Sequence, residues 1–356
     1  MVDKAAALTT KDTSFSRWAN GLWKAMFPAV NFEDVDFDQL LLNDTWPIPH
    51  ASLRNFYGET DLDYWITGLG DYLTMRKLLS ASGCDFCPGN TVVDMGGSSG
   101  RVMRHIALQA TLPLKLHVVD APDLTAFLHD AQTQRPSSNV GEIQFTTFSE
   151  NALLLDSCTV DILTAFSVFT HFYHSEQLWL REVHRVLKPG GVFYCTLQTE
   201  KTWISIKDGG LPFVELLADF FPETQSSSCI IQGMGDTSVR HGGAWHRKGS
   251  HFMITSHKEN GLKPVIFEEI SRGLLDKDMY GQGRWALIEN ALPDMNLPFR
   301  ENGVIPEVTD LRCAEVLYVC TFHHLDYIRR VWGKLFEVTR TGCYHGFQEI
   351  VIFKKK

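Results

Sequence analysis

From about residue 90 the chain alternates between short apolar runs rich in β-branched residues and segments with apolar residues at helical spacing. Strands that alternate with helices are typical of βαβ units and a parallel sheet. A helix is expected at Ser175–Leu187, because Ser175 can cap its first turn and the glycines that follow Pro189 end it. Five strands are predicted, at Thr91–Asp94, Leu114–Val119, Glu142–Thr147, Val160–Phe166 and Val192–Leu197.

The pattern differs on either side of this region. Residues 13–28 place apolar, mostly aromatic side chains at helical spacing, which favours a helix packed on a core over one bound to a membrane. Residues 200–315 are rich in Gly, His and Pro and show few clear elements. A helix at Leu325–Trp332 and strands at Phe336–Arg340 and Phe347–Phe353 follow. We expect an α/β fold with a mostly parallel seven-stranded sheet, closed by an antiparallel hairpin.

Composition narrows the class of protein. A chain of 356 residues with 44% hydrophobic composition can bury a large core, and its net charge of −9 provides no basic field for nucleic acid. Its apolar runs fall short of the roughly 18 residues that span a bilayer, and the first eleven residues lack the apolar core of a signal peptide. Eight cysteines at irregular spacing suit reduced thiols. These features together predict a soluble, cytoplasmic protein. No metal is expected, because no second pair of Cys or His completes a zinc site with Cys84 and Cys87.

The most informative segment joins the first predicted strand to the helix after it. The strand ends at Asp94 and continues through Gly96, Gly97 and Gly100, small residues that let a cofactor lie against the backbone. Twenty residues beyond Gly100 the second strand ends at Asp120, where an acid can accept hydrogen bonds from two ribose hydroxyls.

Both features also fit a nicotinamide-dependent dehydrogenase. A dinucleotide fingerprint that begins at Gly96 needs glycine at positions 98 and 101, to make room for a pyrophosphate and a close helix. The chain has Ser98 and Arg101 there. S-adenosylmethionine (SAM) carries no pyrophosphate, and this turn would suffice for it. The sequence therefore favours SAM over a dinucleotide.

Four motifs in the same order resemble the class I, Rossmann-like, SAM-dependent methyltransferases. The resemblance covers about residues 90–198 and 322–353, and ends with the strand that begins at Gly346–Glu349. It implies that SAM is the cofactor of an enzyme that methylates a small molecule. A SAM-binding scaffold protein without activity is the other possibility. The motifs are Val93–Arg101, Val119–Asp120, Ser167–Phe172 and Leu180–Gly191.

The resemblance also implies a domain organisation. Residues 1–88 would form an N-terminal helical segment or lid, and residues 89–199 the SAM-binding core. Residues 200–320 would be an α+β insertion that caps the substrate, because loops at the carboxyl ends of parallel strands bind ligands. Residues 321–356 would complete the core sheet.

Several residues would contact SAM by the same resemblance. Ser98 departs from the usual glycine, and position 150 is usually Asp rather than Glu. The methionine side of SAM would be lined by Asp94, Gly96, Gly97 and Gly100; the ribose held by Asp120 with Ala121 beside it; the adenine amine contacted by Ser149 and Glu150; and the amino group faced by Phe166 and Ser167. Tyr64 and Gly68 would cover the cofactor or pack in the core.

Candidates for catalysis and acceptor binding are less specific. His171, at the exit of the fourth strand, would be a wall residue or a base, and His323 would face the substrate or cap a helix. Residues 240–251 concentrate positive charge and would suit an anionic group such as a carboxylate, or form a solvated loop. The candidates there are His246 for catalysis and Trp245, Arg247 and His251 for substrate binding. The acceptor atom, oxygen, nitrogen or sulfur, and the oligomeric state are left open.

Overall fold

A computed structural model describes the chain in fifteen stretches, and for the strands between residues 254 and 322 it describes the backbone alone, apart from the side chain of His323 at the end of the last one. The described residues are 24, 26–54, 57–58, 60–110, 113–120, 122–133, 143–147, 152–172, 176–199, 254–258, 262–266, 284–291, 317–323, 325–346 and 348–356.

The described part of the chain contains six α-helices and eleven strands. The helices are α1 Phe37–Asn43, α2 Asp61–Ala81, α3 Arg101–Gln109, α4 Pro122–Thr133, α5 Glu176–Val186 and α6 Leu325–Val331. The strands are β1 Thr91–Met95, β2 Lys115–Asp120, β3 Ile143–Thr147, β4 Val160–Ala165, β5 Leu187–Thr199, β6 Ile254–Lys258, β7 Leu262–Ile266, β8 Arg284–Ala291, β9 Leu317–His323, β10 Phe336–His345 and β11 Gln348–Lys355.

Seven strands form the main path of the sheet, in the order β10-β11-β5-β4-β1-β2-β3. Strands β1 to β5 are parallel, whereas β11 runs antiparallel to both β5 and β10. The predicted Rossmann-like sheet with its closing antiparallel hairpin is therefore confirmed. The carboxyl ends of β1, β2 and β4 lie side by side at one edge, which is where the site residues collect.

Helices cover both faces of the sheet. Alternate residues of each central strand point to opposite sides, so that Val92 packs with the helices α2 and α3 while Val93 packs with α5 and α6. The helix α2 begins with a capping box between Thr60 and Asp63. Its Gly68 allows a close approach to α3, because a Cβ atom there would collide with the backbone carbonyl of Arg101.

The ends of some elements differ from the prediction. Strand β5 begins at Leu187 rather than at residue 192, because the Gly-Gly turn is absorbed as an irregularity in the pairing of β4 with β5. Strand β10 extends to His345 across another irregularity. The helix predicted at residues 13–28 lies mostly outside the described residues. Those described at its end, residues 26–28, lie in turns, and the ring of Phe27 is buried.

Three strands, β6, β7 and β8, lie in the segment for which the sequence predicted few elements, and β9 follows directly after it. Strands β6 and β7 form an antiparallel pair, and β8 pairs antiparallel with β9. Strand β9 then joins the end of β5 in parallel, with Thr199 opposite His323. The segment therefore leaves and rejoins the sheet at neighbouring positions. The boundaries of the four predicted domains stay a prediction.

Candidate active site

The turn between β1 and α3 adopts backbone conformations that favour small residues. Gly96 has a φ of +69°, Gly100 a φ of +81°, and Ser98 lies in the same left-handed region with a φ of 52°. A Cβ atom at Gly96 would collide with the side chain of Val168, and one at Gly100 would lie 2.6 Å from Leu128. The turn therefore requires glycine at both positions.

The carboxylate of Asp120 fixes this turn to the neighbouring strand. Asp120 is the last residue of β2, and its Oδ2 accepts a hydrogen bond of 2.5 Å from the backbone N–H of Ser98. Its side chain is half-buried at the carboxyl edge of the sheet. An acid placed there is suited to accept hydrogen bonds from sugar hydroxyls.

Asp94 places a second carboxyl group beneath the turn, and this one is buried. It is 2% exposed, and the hydroxyl of Thr164 donates a hydrogen bond of 2.6 Å to its Oδ1. Burial raises the pKa of Asp94 from 3.8 to about 7, since the hydrogen bond from Thr164 and the charge of Arg101 offset only part of the lost hydration. A cationic ligand nearby would favour the ionised form.

Five polar side chains meet above the carboxyl ends of β1 and β4, and we call them the Tyr57 network: Tyr57, Asp71, Arg101, Ser167 and His345. Asp71 pairs with Arg101 Nη1 at 2.6 Å and accepts a hydrogen bond of 2.7 Å from His345 Nδ1. The Tyr57 hydroxyl lies 3.1 Å from His345 Nε2 and 2.9 Å from the Ser167 hydroxyl. The guanidinium of Arg101 lies 3.8 Å from the centre of the Tyr57 ring.

The charges of this network shift the protonation of its members. Burial lowers the pKa of His345, but the charges of Asp71 and Tyr57 outweigh it and raise that pKa to about 9. Burial raises the pKa of Tyr57, but His345, Arg101 and the hydrogen bond with Ser167 together lower it below its ordinary value of 10.0. At neutral pH the network therefore holds a cationic His345 against a phenol that is easier to ionise than usual.

Ser167 connects the network to the sheet. Its φ of 57° is unusual for a residue with a side chain. Its backbone N–H donates to the Thr196 hydroxyl at 2.8 Å, and its own hydroxyl donates to Gln348 Oε1 at 3.0 Å. Contacts from β5 and β11 thus hold Ser167 in this conformation.

Comparison with known protein families identifies the family that the central segment resembles. Residues 93–195, which run from β1 through most of β5, match the family model described as a methyltransferase domain. This segment is a class I SAM-dependent methyltransferase domain. The family, the enzyme class and SAM as methyl donor, all predicted from the sequence, are confirmed at the level of this methyltransferase domain. No curated protein matches the chain.

Solved structures similar to the chain are distant. A structure from Haloferax volcanii that contains the Trm112 methyltransferase activator and its partner is 22% identical over 43% of this chain and 64% of that one, with a TM-score of 0.31. An arsenic(III) SAM methyltransferase from Chlamydomonas reinhardtii is 22% identical over 31% and 38%, with a TM-score of 0.27. A SAM-dependent methyltransferase from Methanosarcina mazei is 13% identical over 76% and 94%, with a TM-score of 0.38. The chain spans less than two thirds of the first two, and such likenesses say nothing about its acceptor.

The chemistry of the turn fits SAM. The methionine end of SAM carries an ammonium and a sulfonium, and the buried Asp94 offers a carboxyl group whose lost hydration the charge of Arg101 offsets only in part. Asp120 offers an acceptor for the ribose at the next strand end. In the methyltransferase domain these two acids and the tight turn at Gly96 and Gly100 would hold SAM, which supplies an activated methyl group when bound.

Other residues predicted to touch SAM also surround this turn. Phe166 follows β4 and its ring lies 5.6 Å from that of His345. Gly97 lies against Asp94, since a Cβ atom there would be 2.8 Å from Oδ2. Tyr64 is buried and its hydroxyl donates to the backbone carbonyl of Ser99 at 3.1 Å. Tyr64 therefore holds the turn through its hydrogen bond to Ser99, and Gly68 allows α2 to pack on α3. Direct contact of either residue with SAM stays a prediction.

His323 belongs to a separate cluster. It is fully buried, and its Nε2 lies 2.5 Å from Oε2 of Glu176, the first residue of α5. The Tyr327 hydroxyl and the Trp332 indole donate to the other oxygen of the same carboxylate, at 2.7 and 3.1 Å. This environment gives His323 a structural role on the face covered by α5 and α6. A direct part in catalysis has no support in these contacts, because the ring is not exposed.

The remaining predicted residues divide into two groups. His171 is half-buried just after β4, near the edge where the methyltransferase domain holds its site. Seven others lie outside the described residues: Ala121, Ser149, Glu150, Trp245, His246, Arg247 and His251. Within the described stretches no group of three or more potential ligands is arranged to hold a metal ion.

Sequence reasoning missed three members of the Tyr57 network. Asp71 gave a usable signal, because an acid in the apolar middle of a long helix requires a buried partner. Tyr57 lies in a loop without periodicity, and His345 lies beside a turn nearly 300 residues away, so neither gave a local signal. Only the packing of α2, α3 and β10 around one point brings the three together.

Proposed function

We propose that the protein transfers the methyl group of SAM to an oxygen, nitrogen or sulfur nucleophile of a small-molecule acceptor. The observation that supports it most strongly is the pair of acids at the ends of β1 and β2. Asp94 and Asp120 flank the tight turn within the segment that matches the methyltransferase model. Methyl transfer from a sulfonium needs in-line alignment and, for some acceptors, a base.

The acceptor side of the site is proposed from position in the fold. Residues 200–320 follow β5, whose carboxyl end lies at the same edge of the sheet as the SAM turn. Ligands of parallel sheets bind at this edge, so a long insertion there is suited to cap the acceptor. The net charge of −9 supports a small molecule rather than nucleic acid.

The positively charged stretch within this insertion is proposed to bind an anionic group. In an acidic chain, cationic side chains at Arg247 and His246 would form charge-assisted hydrogen bonds with a carboxylate. Once an acceptor is known, Arg247→Ala with His246→Ala should raise its KM and leave SAM affinity within about twofold, a loss of uniform binding. An unchanged KM would indicate that this stretch is a solvated loop without a part in acceptor binding.

A reducing, cytoplasmic location is part of the proposal. The five cysteines whose side chains the structure describes are free thiols, which supports it. None of the helices described here combines the length and apolar character needed to cross a bilayer.

The first experiment separates SAM binding from dinucleotide binding. SAM or S-adenosylhomocysteine should raise the melting temperature and NAD should not, with a stabilisation of about 2.7 kcal/mol at 100 times the dissociation constant. In Asp120→Ala the SAM effect should weaken, because each charged hydrogen bond to the ribose contributes roughly 1.5 to 3 kcal/mol. Equal stabilisation by NAD, or none by SAM, contradicts the proposal.

The second experiment tests methyl transfer itself. The enzyme is incubated with labelled SAM and a panel of phenols, amines, thiols and carboxylates, and formation of S-adenosylhomocysteine is measured for each. Acceptor-dependent formation supports an enzyme. SAM binding without transfer to any member of the panel would favour a scaffold protein.

A further inference from the structure

The Tyr57 network lies where an acceptor must approach the methyl group, and its arrangement goes beyond what SAM binding needs. Ser167 is two residues past the end of β4, and the next residue, Val168, packs against Gly96 of the SAM turn. Arg101 begins the helix that follows the same turn. The Tyr57 hydroxyl, in contact with Ser167 and above Arg101, is therefore held beside the methionine end of the SAM site.

The hydrogen bonds around Tyr57 have one consistent arrangement when its hydroxyl is protonated. His345 Nδ1 donates to Asp71, so Nε2–H of the imidazolium donates to the Tyr57 oxygen. The Ser167 hydroxyl donates to Gln348, so Tyr57 donates to Ser167. Loss of the Tyr57 proton would leave a phenolate that still accepts from His345 and to which the Ser167 hydroxyl can turn.

The same surroundings stabilise that phenolate electrostatically. The charged groups that act on Tyr57 are the cationic His345 and Arg101 and the anionic Asp71, which is itself paired with both cations. Asp71 is 2% exposed and holds the two cations in place from α2. Tyr57 itself is half-buried, so part of the residue remains exposed.

We propose that Tyr57 is the general base of methyl transfer, and that the acceptor is a protic nucleophile such as a phenol or a protonated amine. This inference rests on the proposed function and specifies its acceptor class. The acceptor first gives up a proton to the Tyr57 phenolate oxygen, which passes it on to solvent. The lone pair thus available on the acceptor atom forms a bond to the methyl carbon, and the carbon–sulfur bond breaks with its electron pair left on sulfur. His345 and Asp71 act as positioning residues.

The proposal distinguishes acceptor classes. A phenol or a protonated amine has a pKa near the ordinary values of about 10 for these groups, so such an acceptor needs a base to remove its proton, and lowering the pKa of Tyr57 increases the fraction of Tyr57 present as phenolate below that pH. A carboxylate is already ionised, and a thioether has no proton to lose. For those two acceptors Tyr57 would contribute nothing to the chemical step.

A direct test measures ionisation of Tyr57 without any acceptor. The ultraviolet absorbance of tyrosinate is followed as the pH of the folded protein is raised, in the wild type, Tyr57→Phe and Tyr72→Phe. Tyr72 is a control, because it too lies next to an arginine, but it is buried and burial raises its pKa. One tyrosinate should titrate below the others in the wild type and in Tyr72→Phe and be missing from Tyr57→Phe. A first titration identical in all three proteins overturns the proposal.

The kinetic test uses the phenol or amine of the panel that the wild type methylates best. Tyr57→Phe keeps the ring over Arg101 and loses only the hydroxyl, so its melting temperature and SAM affinity should stay close to wild type. Its kcat should fall by about 100- to 10,000-fold, the range for loss of a general base, with a much smaller change in KM. His345→Gln should move the rising limb of the kcat/KM profile to higher pH, which a purely structural residue would not do.

The outcomes separate this proposal from the proposed function. Turnover of phenols or amines at the wild-type rate by folded Tyr57→Phe overturns the base and leaves the methyltransferase in place. Turnover of the carboxylates of the panel alone overturns the acceptor class. Failure of the wild type to methylate any member of the panel, despite SAM binding, overturns the proposed function and the base with it.

Discussion

The hydroxyl of Thr164 donates a 2.6 Å hydrogen bond to the carboxyl group of Asp94, which is otherwise buried away from water. The two residues face each other across the parallel pair β1 and β4, at directly opposed positions. One hydrogen bond is too little to offset the lost hydration of a carboxylate, so the pKa of Asp94 rises to about 7. The acid thus changes its charge within the physiological range of pH.

This predicts that SAM binding is coupled to release of a proton. The cationic cofactor favours ionised Asp94, so below the pKa of about 7 the affinity should fall by up to about tenfold for each unit of pH. Calorimetry in two buffers of different ionisation enthalpy measures the proton released. Asp94→Asn should bind SAM weakly with no proton release, and equal release by this variant would contradict the assignment.

The same carboxyl group predicts a pH-dependent gain in stability on substitution. The folded-state pKa of Asp94 is raised, so its contribution to stability is present below 3.8 and is lost as the pH rises through about 7. Asp94→Asn removes that loss and keeps an acceptor for Thr164. Its free energy of unfolding, measured with urea, should exceed that of the wild type by an amount that grows between those two values of pH. A constant difference across this range would contradict the prediction.

Glu176 and His323 should be strongly coupled in stability. Removing His323 takes one partner from the buried carboxylate of Glu176, which also accepts hydrogen bonds from Tyr327 and Trp332. Breaking a buried pair costs about 3 to 5 kcal/mol, so His323→Ala should lower the free energy of unfolding by that order. In the double variant with Glu176→Gln the loss should be smaller than the sum of the two single losses. Additive losses would show that the two side chains act independently.

Arg104 should stabilise the packing of the segment around Asp44 and Trp46 on the core. Its guanidinium is 1% exposed, pairs with Asp44 at 2.9 Å and donates to the backbone carbonyl of Trp46 at 2.7 Å. Arg104→Met should therefore cost about 3 to 5 kcal/mol of stability. Lys188→Met is the matched control: its ion pair with Asp161 is partly exposed and should be worth about 1 kcal/mol or less. Similar losses in both variants would contradict this role.

The sheet and its SAM turn could be predicted because their signals are local. Strand β1 is a short apolar run with Asp94 as its penultimate residue, and the conformations of Gly96 and Gly100 require the residues that the sequence shows. Asp120 follows Gly100 by twenty residues, a spacing that can be read directly from the sequence. Each of these positions can be recognised from a window of about the length of one βαβ unit, which is ~30 residues or more.

The role of His323 and the Tyr57 network could not be predicted in the same way. His323 lies 147 positions from Glu176, and Tyr57 lies 288 positions from His345, so neither pair shares a pattern in the sequence. A histidine in front of a helix suggests a cap or a ligand until its partner is known. Tertiary packing decided both cases, since burial beside a carboxylate determined what each histidine does.

The pairing of β5 with β9 has a consequence for how this protein could change. Thr199 and His323 are register partners, so the chain departs from the methyltransferase domain and returns to it across the width of one strand pair. The pairing of β5 with β9 holds the two ends of the intervening segment together. The entropic cost of bringing those ends together rises only slowly with the length of the segment. The segment is thus an exchangeable module: a chimera that joins these two positions with a different insertion should keep the donor site and acquire another acceptor.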